Sequence, residues 1–126
     1  MDGLTALSFS GLSEGEYYIA VKHQNHLSAM TQAPVNLTTT SSPIDFSDPA
    51  LSMYGTDARK SLGSVMVLWA GDATNDDVIN ASDRAKAWND RNLTGNLLSD
   101  LDRNGNCNAA DRVISWNNRN RGGQLP

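Results

Sequence analysis

Apolar and polar positions alternate through the first half of the chain, then give way to runs of Asp and Asn broken by short apolar spacings. Leu4–Phe9 places Thr5, Leu7 and Phe9 on one side, the period of two that predicts a half-buried strand. Gly11-Leu12-Ser13-Glu14-Gly15 reads as a turn. Tyr17–His23 is the clearest strand, with Tyr17, Ile19 and Val21 opposite Tyr18, Ala20 and Lys22. The polar His23-Gln24-Asn25-His26 predicts a hairpin loop, and Leu27–Leu37 continues as a strand that Pro34 demotes to an edge. After the polar spacer Thr38–Pro43, Ile44–Phe46 offers a brief pairing segment and residues 47–63 read as loop, punctuated by Gly55 and Gly63. Val65-Met66-Val67-Leu68-Trp69 is a continuous apolar run, suited to a strand covered on both faces.

The period changes after Gly71. Ala81, Ala85 and Trp88 fall at i, i+4 and i+7, and Ala109, Val113 and Trp116 repeat the spacing, so two short helices are expected. The two tryptophans suit a stacking or sugar-binding pair; the simpler expectation is that they fill a small core between the helices. Gly95 and Gly122-Gly123 read as the helix stops.

Each helix follows a twelve-residue acidic run. Asp100–Asp111 places Asp100, Asp102, Asn104, the carbonyl of Asn106, Asn108 and Asp111 at positions 1, 3, 5, 7, 9 and 12, with Gly105 at position 6. Calcium takes six to eight oxygen ligands, and twelve-residue loops supply them from those positions. Asp72–Asp83 offers Asp72, Thr74, Asp76, the carbonyl of Val78, Asn80 and Asp83. Here position 3 is a neutral hydroxyl and position 6 is Asp77, which must adopt positive φ, a conformation Asp visits more readily than most residues.

A lone Asp/Asn-rich run is as well explained as a solvated turn. A shift of 28 residues, however, superimposes Asp72 on Asp100, Asp76 on Asn104, Asn80 on Asn108 and Asp83 on Asp111, and continues through Arg84/Arg112, Trp88/Trp116, Arg91/Arg119 and Asn92/Asn120. Such self-similarity marks two copies of one supersecondary unit. Neither is long enough to bury a core alone, so they are expected to pack about a pseudo-twofold axis, with a β-bridge between Ile79 and Cys107.

Two loops of the pattern D-x-[ND]-x-[ND]-x-x-x-N-x-x-D, each leading into a short helix, resemble a type I dockerin over residues 71–121. Gly71-Asp72 resembles that family's entry, and Asp at position 12, where calmodulin-like hands prefer Glu, favours the same comparison. The resemblance implies two Ca²⁺ held by the side chains and carbonyls named above, and a cohesin-like protein partner. The chain departs from the family pattern at Arg84 and Arg112, where an apolar residue is usual. Ala81-Ser82 and Ala109-Ala110, at the positions often used to choose a cohesin, do not specify one. The earlier strands resemble in a general way the end of an Ig-like or fibronectin-like sandwich of a secreted bacterial protein.

Composition limits the alternatives. The 126 residues are 39% hydrophobic and only 6% aromatic, so the core is modest and support from metal is expected. The formal charge of −4 would be offset by two Ca²⁺. Lys and Arg are too few and too dispersed along the sequence for a nucleic-acid footprint. Cys107, the only cysteine, has no internal disulfide partner and reads as a small buried apolar residue. No run approaches the ~18 apolar residues of a membrane span. Met1-Asp2-Gly3 leads straight into strand-like sequence without a signal-peptide pattern, so the chain is expected to be a piece of a longer protein. Glu14 and Glu16 flank a turn, and His23 and His26 lack an evident catalytic partner, so no enzyme is expected.

The sequence therefore predicts an α+β chain: a small β-sandwich-like module over 1–70, possessing too few strands to close, then two EF-hand-like calcium loop–helix repeats over 71–126. The function expected is extracellular, cell-surface anchoring through protein–protein interaction. The alternative is a structural subunit of a fibre or adhesin, completing its sheet by strand addition with copies of itself or its parent protein.

Overall fold

Gly15–Tyr17 (β1), Ala20–Val21 (β2), Ala29–Met30 (β3) and Val35–Leu37 (β4) form one interrupted antiparallel ribbon. The structure, a computed structural model, describes residues 10–126, so the strand expected at Leu4–Phe9 lies outside the described residues. β1 pairs with β4 from Gly15↔Leu37 to Tyr17↔Val35, and β2 pairs with β3 through Ala20↔Met30 and Val21↔Ala29. Tyr18-Ile19 thus faces the longer segment Thr31–Pro34, where proline has no N–H to give a ladder. Thr31 holds the break together: its N–H donates to the Ile19 carbonyl at 3.0 Å, and its hydroxyl accepts from Ile19 N–H at 3.1 Å. The turn expected at His23–His26 is present, closed by the His26 N–H on the His23 carbonyl.

Lys60–Leu62 (β5) and Val65–Val67 (β6) form a second hairpin around Gly63-Ser64, with Gly63 at φ 64°. β5 falls inside the stretch read as loop, because three residues give too short an alternation to register. The apolar run Val65–Trp69 is not covered on both faces as expected: Val65 is 40% exposed beside Leu62 at 62%, and only Trp69 is buried. The loop before it is organised by a buried charge. The Arg59 guanidinium donates to the carbonyls of Phe46, Asp48 and Leu51, gathering a segment that has no apolar core of its own.

Val78–Ile79 (β7), the helices Ala81–Asn89 (α1) and Ala109–Asn117 (α2), and Arg121–Gly122 (β8) complete an α+β arrangement. Among the described residues the strands make four separate two-stranded sheets in place of the expected sandwich. Segments of two or three residues are too short to propagate a wider sheet.

The bridge expected between Ile79 and Cys107 does not form. Ile79 pairs with Arg121, and its carbonyl accepts from Asn120 N–H at 2.8 Å. Equivalently, the Cys107 carbonyl accepts from Asn92 N–H at 2.9 Å. Each loop is thus closed by the segment that follows the other repeat's helix. Asn92 and Asn120 make this possible by turning the chain at φ 68° and 64°, a left-handed conformation that Asn tolerates. The expected glycine stops are displaced accordingly: Asp90 and Asn118 are the C-caps, and Gly122 lies within β8. Gly123 is small for another reason, since a Cβ there would overlap the Asp77 carboxylate.

Among the described residues, buried Leu27, Trp69 and Ile79 form an apolar cluster that crosses the junction at residues 70 and 71, and Ala73, Ala87, Leu101 and Cys107 are buried outside it in the second half. The hairpin tip plugs into the second half of the chain. Leu27 N–H donates to the Trp69 carbonyl (2.8 Å) and Gly71 N–H to the Asn25 carbonyl (3.1 Å). Ser28 N–H reaches the Asp77 carboxylate at 2.7 Å, and the Asn25 amide reaches the Asp100 carbonyl at 3.1 Å. The helices turn inward the face opposite to the expected one. Asp83 and Ala87 are buried in α1, Asp111 and Ser115 in α2, whereas Trp88 and Trp116 are half-exposed. Asp83 and Asp111 must face their own loops to close them, which rotates the Ala/Trp stripe towards solvent.

Candidate metal centre

The first loop is built from carboxylates that gather backbone N–H groups. Asp72 Oδ1 accepts from Asp76 N–H at 3.0 Å and Oδ2 from Asp77 N–H at 2.8 Å. The second loop repeats this, with Asp100 accepting from Asn104 at 3.1 Å and Gly105 at 2.9 Å. Closing such turns places positions 4 and 6 at positive φ: Asn75 at 59° and Asp77 at 66°, Arg103 at 60° and Gly105 at 88°. Position 6 is where the sequence points; the requirement at position 4 was not legible, because Asn75 and Arg103 share no chemistry. Asp77 offsets its strain by holding Ser28 N–H.

The last ligand position has two tasks. Asp83 accepts from Thr74 N–H and hydroxyl through Oδ1 and from Asn80 N–H through Oδ2. Asp111 does the same for Leu101 and Asp102 through Oδ1 and for Asn108 through Oδ2. Each is residue N3 of its helix and completes a capping box with Asn80 or Asn108.

Three carboxylates converge in each loop. Oxygens of Asp72, Asp76 and Asp83 lie within 4.8 Å of one another, as do those of Asp100, Asp102 and Asp111. Positions 1 and 12 are buried in both, and Asp76 and Asp102 are exposed. Burial pushes the Asp72 carboxyl above its ordinary range, the Asp77 and Asp76 N–H groups oppose that, and the charges of Asp83 and Asp76 add to it. Buried like charges of this kind are relieved by a cation, and an all-oxygen donor set suits a hard one.

The other expected ligands are placed differently. Thr74 directs its hydroxyl to Asp83 at 2.9 Å, and the Asn104 amide nitrogen contacts Asp102 at 2.9 Å. The Asn106 carbonyl accepts from the Asn108 amide at 3.2 Å, and Val78 donates its N–H to Asp76. Asn80 and Asn108 spend their side-chain oxygens on Ser82 and Ala110 N–H at 2.7 and 2.8 Å. They cap helices, and position 9 is the one that commonly reaches calcium through a water.

The histidines form a separate feature. His23 Nδ1 and His26 Nδ1 are 2.9 Å apart, and Asn25 Oδ1 lies 2.9 Å from the latter. They border an open groove of about 690 Å³ that also touches Lys60, Val67 and Ile114, and among the described residues no carboxylate, serine or cysteine lines it. Compared with known proteins, the chain matches no family model, no curated protein and no solved structure.

Proposed function

We propose that this chain is a non-catalytic, extracellular interaction and anchoring module stabilised by two Ca²⁺. The observation that carries the reading is the pair of three-carboxylate clusters, whose buried members Asp72/Asp100 and Asp83/Asp111 are related by the 28-residue repeat, set into a fold whose apolar core cluster, among the described residues, is Leu27, Trp69 and Ile79. Asp72, Asp83, Asp100 and Asp111 stand where a domain of this size normally has hydrophobic side chains. A cation at each cluster turns that repulsion into cross-linking. The two loop–helix units then act as EF-hand-like repeats related by a pseudo-twofold axis, in a dockerin-like module whose partner is a cohesin-like protein. Asp72, Asp76 and Asp83 would hold one ion and Asp100, Asp102 and Asp111 the other. Thr74, Asn104 and the Val78 and Asn106 carbonyls supply the further oxygens, and Asn80 and Asn108 act through water.

Calorimetric titration of calcium-stripped protein is expected to show two binding steps. The tighter belongs to the second loop, which has a carboxylate at position 3 and Gly105 at position 6, and Asp100→Ala removes it. A single step, or a strong step that survives the substitution, contradicts the reading. Ligand bound only by the folded state adds RT ln(1 + [L]/Kd), about 4 kcal/mol at a thousandfold excess over Kd. EDTA is therefore expected to lower the melting temperature sharply.

A second reading, assembly into a fibre or adhesin by strand addition, is favoured by the β5–β6 hairpin. It is two-stranded and exposes Leu62 and Val65; β6 is occupied at its outer edge, where the Met66 N–H donates to the Ser47 carbonyl at 2.9 Å, so the β5 edge is the one that would template another strand. Light scattering at micromolar concentration tests it: this reading expects species above 13.6 kDa, and a strict monomer rules it out.

A further inference from the structure

The arginines that look dispersed in the sequence are gathered by the repeat onto the outer face of α1 and α2. The Arg84 guanidinium lies 4.9 Å from the Trp116 ring centroid, and Arg112 lies 4.9 Å from that of Trp88. Arg91 lies 4.5 Å from Trp88 and Arg119 4.3 Å from Trp116. The 28-residue shift maps each contact onto its counterpart, so this is one arrangement made twice: an indole held by an arginine of its own repeat and one of the other. Arg91 and Arg119 are fixed further by donating to the carbonyls of Trp88 and Trp116 at 2.9 and 2.7 Å. Among the described residues the ion pairs are Lys86–Asp90 and Arg121–Asp57, so none of these four guanidinium groups has a carboxylate within salt-bridge distance. A chain of net charge −4 thus concentrates four uncompensated cations around two half-exposed indoles.

That charge decides what can cover the face. A second copy of the same face would set four guanidinium groups against four. A neutral partner would bury cations without counter-charges, a desolvation cost that nothing offsets. The occupant must be anionic. Planar forks for carboxylate and half-exposed indole surface for the apolar face of a sugar ring, both present twice, match a polymer that repeats anion and ring along its length.

We propose that the outer face of α1 and α2 binds an acidic polysaccharide, with Arg84, Arg91, Arg112 and Arg119 engaging its anionic groups and Trp88 and Trp116 its sugar rings. This goes beyond the protein-anchoring reading and does not depend on it.

The test is titration of the intact chain, in calcium, with hyaluronan oligosaccharides, followed by tryptophan fluorescence, with neutral dextran and poly-aspartate as comparison probes. Hyaluronan is expected to bind, dextran to leave the signal unchanged, and the affinity to fall steeply with added NaCl. Arg84→Ala with Arg112→Ala is expected to weaken binding tenfold or more. Arg91→Lys with Arg119→Lys, which keeps the charge but loses the fork, is expected to weaken it several-fold. Far-ultraviolet dichroism and the melting curve of each variant are the control for folding, and the calcium titration, read separately, distinguishes failure here from failure of the metal reading. Absence of hyaluronan binding by the unaltered protein overturns the proposal whatever the variants do. So does a folded Arg84/Arg112 double variant that binds as well as the parent. Poly-aspartate binding as tightly as hyaluronan, unaffected by Trp88→Ala, would show a face that reads charge alone and assign it to acidic protein surfaces.

Discussion

His26 shows how much a residue's meaning depends on its neighbours. In sequence it is half of an ordinary polar turn. In the fold, burial, the adjacent His23 and the Arg103 guanidinium together lower its pKa from 6.5 to about 4. The unfolded chain therefore takes up the proton first, and stability falls as pH drops from about 6.5 to about 4. A tenfold difference in proton affinity between the folded and unfolded chain corresponds to about 1.4 kcal/mol. With partial exposure discounted, the loss across that window is about 2 kcal/mol. Denaturant unfolding at both ends of the window checks this. His26→Gln is expected to flatten the pH dependence by that amount relative to the parent, a comparison in which the contribution of the loop carboxylates cancels. Equal slopes would show that His26 titrates normally. Nothing in the order His-Gln-Asn-His announces this, because Arg103 comes from the far side of the chain.

At the scale of elements, local chemistry was legible and facing was not. The acidic loops, the two helices and the His23–His26 turn follow from residue types at fixed offsets, and the structure has them all. The inward face of the helices does not follow from apolar periodicity, because it is set by Asp83 and Asp111, which a hydrophobicity pattern reads as solvent-facing. The strand partners were hidden for a similar reason. Ile79 and Cys107 occupy the same loop position, yet each pairs with residues after the other's helix, and Asn92 and Asn120 make the necessary turn. Asn108 is a useful test of what that position does. As an N-cap its truncation to Ala is expected to cost about 1 kcal/mol when unfolding is followed in calcium, well below the effect of Asp100→Ala. Equal losses would make Asn108 a direct ligand.

For the whole molecule, the question is whether the β ribbon and the loop–helix repeats hold each other up. Leu27 is fully buried against Trp69 and Ile79, and the hairpin tip that carries it bonds to residues of both loops through Ser28 and Asn25. Leu27→Ala is expected to cost about 2–5 kcal/mol and to lower the melting of the entire described fold. Far-ultraviolet and near-ultraviolet dichroism should shift together. A ribbon that melts apart from the tryptophan signal would show two independent units. The hairpin tip Asn25–Ser28 thereby acts as a plug.

The reciprocal closure of the two loops also imposes an order in time. As the chain emerges from N- to C-terminus, Asn92 and Leu93, whose carbonyl accepts from the Cys107 N–H at 2.9 Å, are already present when Cys107 arrives, so the second loop finds its partner waiting. Ile79 must wait for Asn120 and Arg121, which lie beyond the whole second repeat. The loop written first is the one completed last, and a nascent chain carries an unfinished first loop until the second helix and the strand after it have been made.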